Sequence, residues 1–310
     1  MPIIKQNQMT EIKSRPIFTV LYGEPGSSKT TISLTSTNPI LLDFDRGYDR
    51  AGLIKDTFSI TKGWDEVLSL EKEIMAYDTI IIDTAKAALD DVIAEFVIKE
   101  DYKNKKSNGA LSLAGYGAMG EAFKSWNNRY RQAGKDIIVI AHAKDEKEGD
   151  TIIKYPDITG GSYALLMRLA DQVGYVHIAN KQRMIRFTPT DKNIGKDTAM
   201  LSTISVPDLA DPKFTNFMAE VIQRTKDKIM DRTRILSKTT SVVSEFETFI
   251  KQATEIGQFN AAVTQVAAMD KNSQLICRKM LTEAAAKAGL VYSKANSSYE
   301  LINNTADAIA

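Results

Sequence analysis

The sequence predicts an α/β fold, a mostly parallel central sheet flanked by helices, followed by a C-terminal helical region. Three observations carry this. A strand-like run ending at Val20-Leu21-Tyr22 passes through a glycine turn straight into a helix. Short, unbroken apolar runs at Ile40-Leu41-Leu42, Ile80-Ile81-Ile82 and Ile137-Ile138-Val139-Ile140 alternate with segments of helical period, the pattern of strands buried on both faces. From about Pro212 onward the apolar spacing is helical.

The glycine turn is the most specific stretch. Gly23-Glu24-Pro25-Gly26-Ser27-Ser28-Lys29-Thr30, followed by Thr31, fits the phosphate-binding loop G-x-x-x-x-G-K-[ST] at every position but one. Gly23 and Gly26 let the backbone curl so that its N–H groups face a phosphate. Lys29 sets a compact positive charge against the β- and γ-phosphates. The Thr30 hydroxyl is suited to Mg²⁺, which takes few protein oxygens beside those of a nucleotide such as ATP. The departure is Ser28, where glycine is usual; its Cβ crowds the backbone that hugs the β-phosphate.

Composition sets bounds. A chain of 310 residues holds one large α/β domain and a smaller appendage. Apolar residues make up 43% and charged residues 25%, an ordinary globular balance. Net charge is +1, so any nucleic-acid contact must come from local patches rather than a global basic field. One cysteine, Cys277, excludes an intramolecular disulfide and fits a reducing cytoplasm. The first residues lack a signal-peptide apolar region, and no run is long enough to cross a bilayer, so no membrane role is expected. Two histidines without ligand spacing exclude a zinc site.

Taken in order, residues 1–15 read as an arm, 16–211 as the core, 212–290 as the helical C-terminal region and 291–310 as a flexible tail. After Asn38-Pro39, the strand at 40–42 ends in Asp43-Phe44-Asp45, carboxylates at the edge where open α/β sheets bind ligands. Thr57–Thr61 reads as another strand and 65–76 as a helix. The triple-isoleucine strand ends in Asp83, placed to hold Mg²⁺ beside Thr30 or, in the plainer reading, to cap the next helix. A helix over 85–99 is followed by a polar loop, 101–117, carrying Tyr102, Lys103, Lys105 and Lys106. Loops of that length are functional or disordered. The 119–133 helix sets Phe123, Trp126 and Tyr130 toward a core. The next strand ends at His142, and a second polar loop, 144–161, includes Lys144. Two strands, 171–178 and 183–188, form a hairpin-like pair, and Lys192 and Lys196 lie in the charged loop beyond. The alternating charges of 225–238 read as a solvated helix face, and Cys277 sits on an apolar stripe. Gly257 and Gly289 read as helix stops.

This order of parts resembles the RecA-like ATPase core over residues 16–200, and more narrowly the phage RecA-like ATPases linked to recombination and single-strand annealing. Leu41-Leu42-Asp43-Phe44-Asp45-Arg46-Gly47-Tyr48-Asp49 is similar to the RecA segment whose acidic residue activates water, and Asp45 falls at that position, one methylene shorter than glutamate. Ile82–Leu89 is similar to the Walker B segment, and His142 lies where RecA has a polar γ-phosphate sensor. The resemblance implies a RecA-like P-loop NTPase core, ATP and Mg²⁺ as cofactors, DNA-dependent hydrolysis, a ring or filament of identical subunits, and the host cytoplasm. It also implies that the two polar loops face single-stranded DNA. Lys103, Lys105, Lys106 and Lys144 would then touch phosphates and Tyr102 would stack on a base, while Lys192 and Lys196 would reach a neighbour's γ-phosphate. The residues alone leave two alternatives open: a P-loop kinase of a small molecule, though no arginine-rich lid is evident, and a non-catalytic nucleotide-gated binding module. The loop lysines alone are equally those of a solvated surface.

Overall fold

The computed structural model describes residues 14–301, in two compact units, 14–229 and 230 onward. The first thirteen residues of the expected arm and 302–310 of the expected tail lie outside the described residues. The chain runs β1 (Phe18–Gly23), α1 (Lys29–Ser33), β2 (Pro39–Asp43), β3 (Thr57–Ser59), α2 (Trp64–Ser69), α3 (Glu71–Ile74) and β4 (Thr79–Asp83). A π-helical stretch, Ala87–Ile93, leads into α4 (Ala94–Glu100), then α5 (Leu113–Gln132), β5 (Asp136–Glu148), β6 (Thr151–Pro156), α6 (Gly160–Leu169), β7 (Gln172–Ala179) and β8 (Gln182–Arg186). Short strands β9 (Lys196–Asp197) and β10 (Thr203–Ser205) precede α7 (Phe217–Gln252), α8 (Ile256–Ala267), α9 (Lys271–Lys287), β11 (Leu290–Ser293) and β12 (Ser298–Leu301).

The main sheet has the order β10-β8-β7-β1-β5-β4-β2-β3, parallel from β7 through β3 and antiparallel at the β7–β8–β10 end. Burial on both faces explains the continuous apolar runs. Val20, Leu42, Ile80, Ile82 and Val139 pack on one side with Phe123, Trp126 and Tyr130 of α5. Leu21, Leu41, Ile81, Ile138 and Ile140 pack on the other with Met218, Val221 and Ile222 of α7. A strand whose alternate residues each meet a core has no face left for polar residues. The expected α/β class and the aromatic face of α5 are both seen.

Strand β1 is fixed at its amino end. The Ile17 N–H donates to Asp136 Oδ1 at 2.8 Å and the Phe18 N–H to Asp171 Oδ2 at 2.9 Å. Asp136 is paired with Lys226, and Asp171 with Arg15 and Arg131. The two carboxylates stand at the start of β5 and just before β7, on either side of β1, and satisfy the amides at its entry, which would otherwise be buried without partners.

Both expected polar loops are more ordered than their composition suggests. In place of a loop over 144–161, β5 runs on to Glu148, turns at Gly149-Asp150 and returns as β6. Gly149 takes the positive φ, 61°, that such a turn requires. The expected 101–117 loop is mostly a short 3₁₀ turn, Tyr102–Asn104, and a bridge between Lys105 and Leu111. Helix α5 starts at Leu113, six residues before the predicted start, with Ser112 Oγ accepting from the Gly115 N–H. Gly115 reads as a loop residue, but a Cβ there would lie 2.3 Å from the Asn104 carbonyl oxygen. Its glycine serves close packing. The 171–188 pair forms as expected, turning at Asn180 and Lys181, both at positive φ.

In the second unit, Phe246, Phe259, Leu281 and Tyr299 surround a buried Cys277, as its apolar stripe implies. Two expectations are corrected. Gly257 is no helix stop, since it lies in the first turn of α8; the break falls at Thr254-Glu255, where Glu255 is the N-cap. Residues 291–301 are not a loose tail but complete a hairpin, β11–β12, because Tyr299 is buried and bonded through its backbone to Asn260. The units divide at 229/230, inside α7, whereas the composition changes near 212. Among the described residues no helix is long and apolar enough to cross a membrane.

The anchoring of β1 gives a stability prediction. Asp171→Ala leaves the Phe18 amide without its acceptor and Arg131 without its carboxylate, and should lower unfolding free energy by about 2–4 kcal/mol, read from urea midpoints at constant m-value.

Candidate phosphate-binding site

Four neighbouring strands deliver their carboxyl ends to one edge. Gly23 of β1 is in register with His142 of β5, and Asp43 of β2 with Asp83 of β4. Because β5 lies between β1 and β4, His142 is placed between the loop after β1 and the aspartate ending β4. The structure thus brings Lys29, Thr30, Asp45, Asp83 and His142 to a common edge.

The loop's conformation accounts for its residue types. Gly26 has φ 75°. Gly23 is required for a different reason from the one its motif suggests: a Cβ there would lie 2.3 Å from the carbonyl oxygen of Val176 on β7. Ser28 adopts φ 64° and ψ 29°, the left-handed region, as the residue preceding α1. The usual glycine has a conformational reason at that position, and serine holds it under strain. Glu24, Pro25 and Gly26 are exposed, while Ser27 is buried.

Lys29 is buried, 6% exposed, and its Nζ donates to the carbonyls of Gly23 and Glu24, each at 2.9 Å, and to Ser27 Oγ at 3.4 Å. All three acceptors are neutral, and among the described residues no carboxylate pairs with it. Burial lowers its pKa, opposed by the charge of Asp83. A buried cation held only by neutral oxygens lacks the counter-charge that burial ordinarily demands, and an arriving anion would supply it. Thr30 Oγ1 donates to Asp83 Oδ2 at 2.5 Å. Burial pushes the Asp83 carboxyl up to about 6, against the Thr30 hydrogen bond, with Asp45 and Asp43 adding to the rise. The Asp83–Thr84 peptide is cis.

Asp43, fully buried, accepts from the Gly47 N–H at 3.1 Å and the Tyr48 N–H at 3.2 Å, and so holds the turn that carries Asp45. Burial raises the Asp45 pKa, with a further rise from Asp43. Sequence reasoning placed Asp43 only in the strand end; the carboxylate two residues before Asp45 was its signal. Thr31 Oγ1 accepts from the Gly52 N–H at 3.0 Å, tying the same loop to α1. His142 has its pKa lowered by burial and by Lys29, and its Nδ1 is buried without a partner among the described residues. The orphaned nitrogen, the unpaired lysine and the Thr30–Asp83 pair fit a magnesium nucleotide. Thr30 and Asp83 would hold the ion, whose charge would offset that of the phosphates.

The other predicted residues lie apart from this set. Tyr102 is 81% exposed, and Lys103, Lys105 and Lys106 are exposed with no ion pair among the described residues. Lys144 pairs with Glu146 on its own strand. Lys192 is exposed, but Lys196 is not a free finger: its Nζ donates to the carbonyls of Met167 and Ala170 and caps the C-terminal end of α6.

A family model described as "AAA domain" matches residues 15–199, more than half of the chain. No curated protein matches the chain.

The strain at Ser28 is testable. Ser28→Gly should raise stability by about 0.5–1 kcal/mol, since the left-handed cost exceeds the added entropy of glycine, and thermal unfolding should show it.

Proposed function

We propose, for a chain that belongs to the AAA domain family and so is of P-loop ATPase type, that it is a magnesium-dependent, RecA-like ATPase of phage kind that acts on single-stranded DNA as an assembly of identical subunits. The observation that carries the ATPase reading is the buried Lys29, without an anionic partner among the described residues, beside the Thr30–Asp83 pair. In this reading Lys29 stabilises charge on the transferring phosphoryl group. Asp45, held by the turn on Asp43, orients water, and the rise in its pKa from burial and from Asp43 makes it a stronger proton acceptor than a free carboxylate. His142 offers its free Nδ1 toward the terminal phosphate. Exposed Tyr102 with Lys103, Lys105 and Lys106 supports a phosphate-tracking, base-stacking surface.

The deciding measurement is phosphate release with and without single-stranded DNA, at two salt concentrations. Lys29→Ala should abolish turnover in a protein that still folds, and an unchanged rate would remove the loop from the active site. Replacing Lys103, Lys105 and Lys106 together by alanine should flatten the log–log salt dependence of DNA binding by about two units. Basal hydrolysis should persist. Full affinity with an unaltered slope would take this surface out of the DNA site. Transfer of the γ-phosphate to a small acceptor instead of water would favour a kinase.

A further inference from the structure

Lys154 lies on β6, yet its side chain leaves the hairpin for the phosphate loop. Its Nζ meets Glu24 Oε1 at 2.7 Å and Asp145 Oδ1 at 2.5 Å. Its backbone is fixed at the same time. The Lys154 N–H donates to the Lys192 carbonyl at 2.9 Å, and its own carbonyl accepts from Tyr22 Oη at 3.2 Å. Tyr22 is wholly buried and immediately precedes Gly23. The base of the lysine is therefore anchored, while its charged end, on a side chain 27% exposed, is held at the surface by two carboxylates.

Two lysines converge on one loop residue. Lys29 holds the carbonyl of Glu24, and Lys154 holds its carboxylate. The Glu24 carboxylate, 52% exposed, stands at the second position of the loop and carries the same sign of charge as an arriving triphosphate. Either it repels that ligand or it surrenders its cation to it. A phosphate bearing two charges outcompetes a half-exposed carboxylate for an ammonium group already in place.

We infer that Lys154 is a second phosphate-contacting lysine of this site, held by Glu24 and Asp145 until a nucleoside triphosphate arrives and then transferred from Glu24 to its terminal phosphate. This rests on the nucleotide-site reading above. The carboxylate serves as a placeholder that keeps the ammonium group oriented. Because a diphosphate lacks the terminal group, Lys154 would separate triphosphate from diphosphate.

The test measures binding of ATPγS and of ADP, each with Mg²⁺, to the full chain. Lys154→Met should weaken ATPγS by about tenfold, the effect of one charged hydrogen bond, and ADP by less than about twofold. Lys154→Arg should keep most of the preference. Glu24→Gln should tighten ATPγS, and adding Lys154→Met to it should still weaken ATPγS about tenfold, because the lost contact is to the ligand. Equal losses for ATPγS and ADP would overturn the inference, as would complete rescue of Lys154→Met by Glu24→Gln, which would reduce the lysine to a neutraliser of Glu24. Lys29→Ala binding ATPγS as tightly as the unaltered chain would overturn the nucleotide-site reading itself, and the inference with it.

Discussion

The structure turns on where one positive charge is kept. Lys29 is taken out of water and satisfied only by loop oxygens, which costs several kcal/mol unless an anion repays it. Everything around it maintains that debt. Gly23 lets the loop close against β7, Ser28 accepts a left-handed backbone so that α1 starts where it does, and the Thr30–Asp83 bond ties the loop to the strand two places away. A site built this way is organised before its ligand arrives, and preorganisation of donors is what makes electrostatic stabilisation effective.

The insertion of β5 between β1 and β4 has a chemical result. With β5 between them, the residue at its carboxyl edge, His142, enters the space and keeps an unpaired ring nitrogen there. Neutral imidazole suits a place already occupied by Lys29, whose charge and the surrounding burial both disfavour a second cation.

Much of this was legible in the sequence, for identifiable reasons. The buried strands declare themselves because both faces are apolar, and the loop because glycine, lysine and threonine recur at fixed spacing. The residues brought to the edge, Lys29, Thr30, Asp45, Asp83 and His142, were each readable as strand or loop ends. What failed to show was order dictated by tertiary contacts. Gly115 reads as a loop residue because the reason for it, the Asn104 carbonyl, is eleven residues away. The β5–β6 hairpin reads as polar loop because its side chains pair with one another and with Glu24 instead of entering a core. Lys196 reads as a free cation because the α6 carbonyls it caps are remote in sequence.

The two carboxylates at the amino end of β1 carry a mechanical consequence. Asp136 and Asp171 clasp successive amides from opposite sides, so β1 has no freedom to slide along β5 or β7. A slip of a single residue would turn both buried faces inside out. The central strand is therefore a fixed datum from which the opposite edge is measured. The parts that stand above that edge, the turn held by Asp43, the phosphate loop and the β5–β6 hairpin, are thus all mounted on a sheet whose central strand has its register set at the far end.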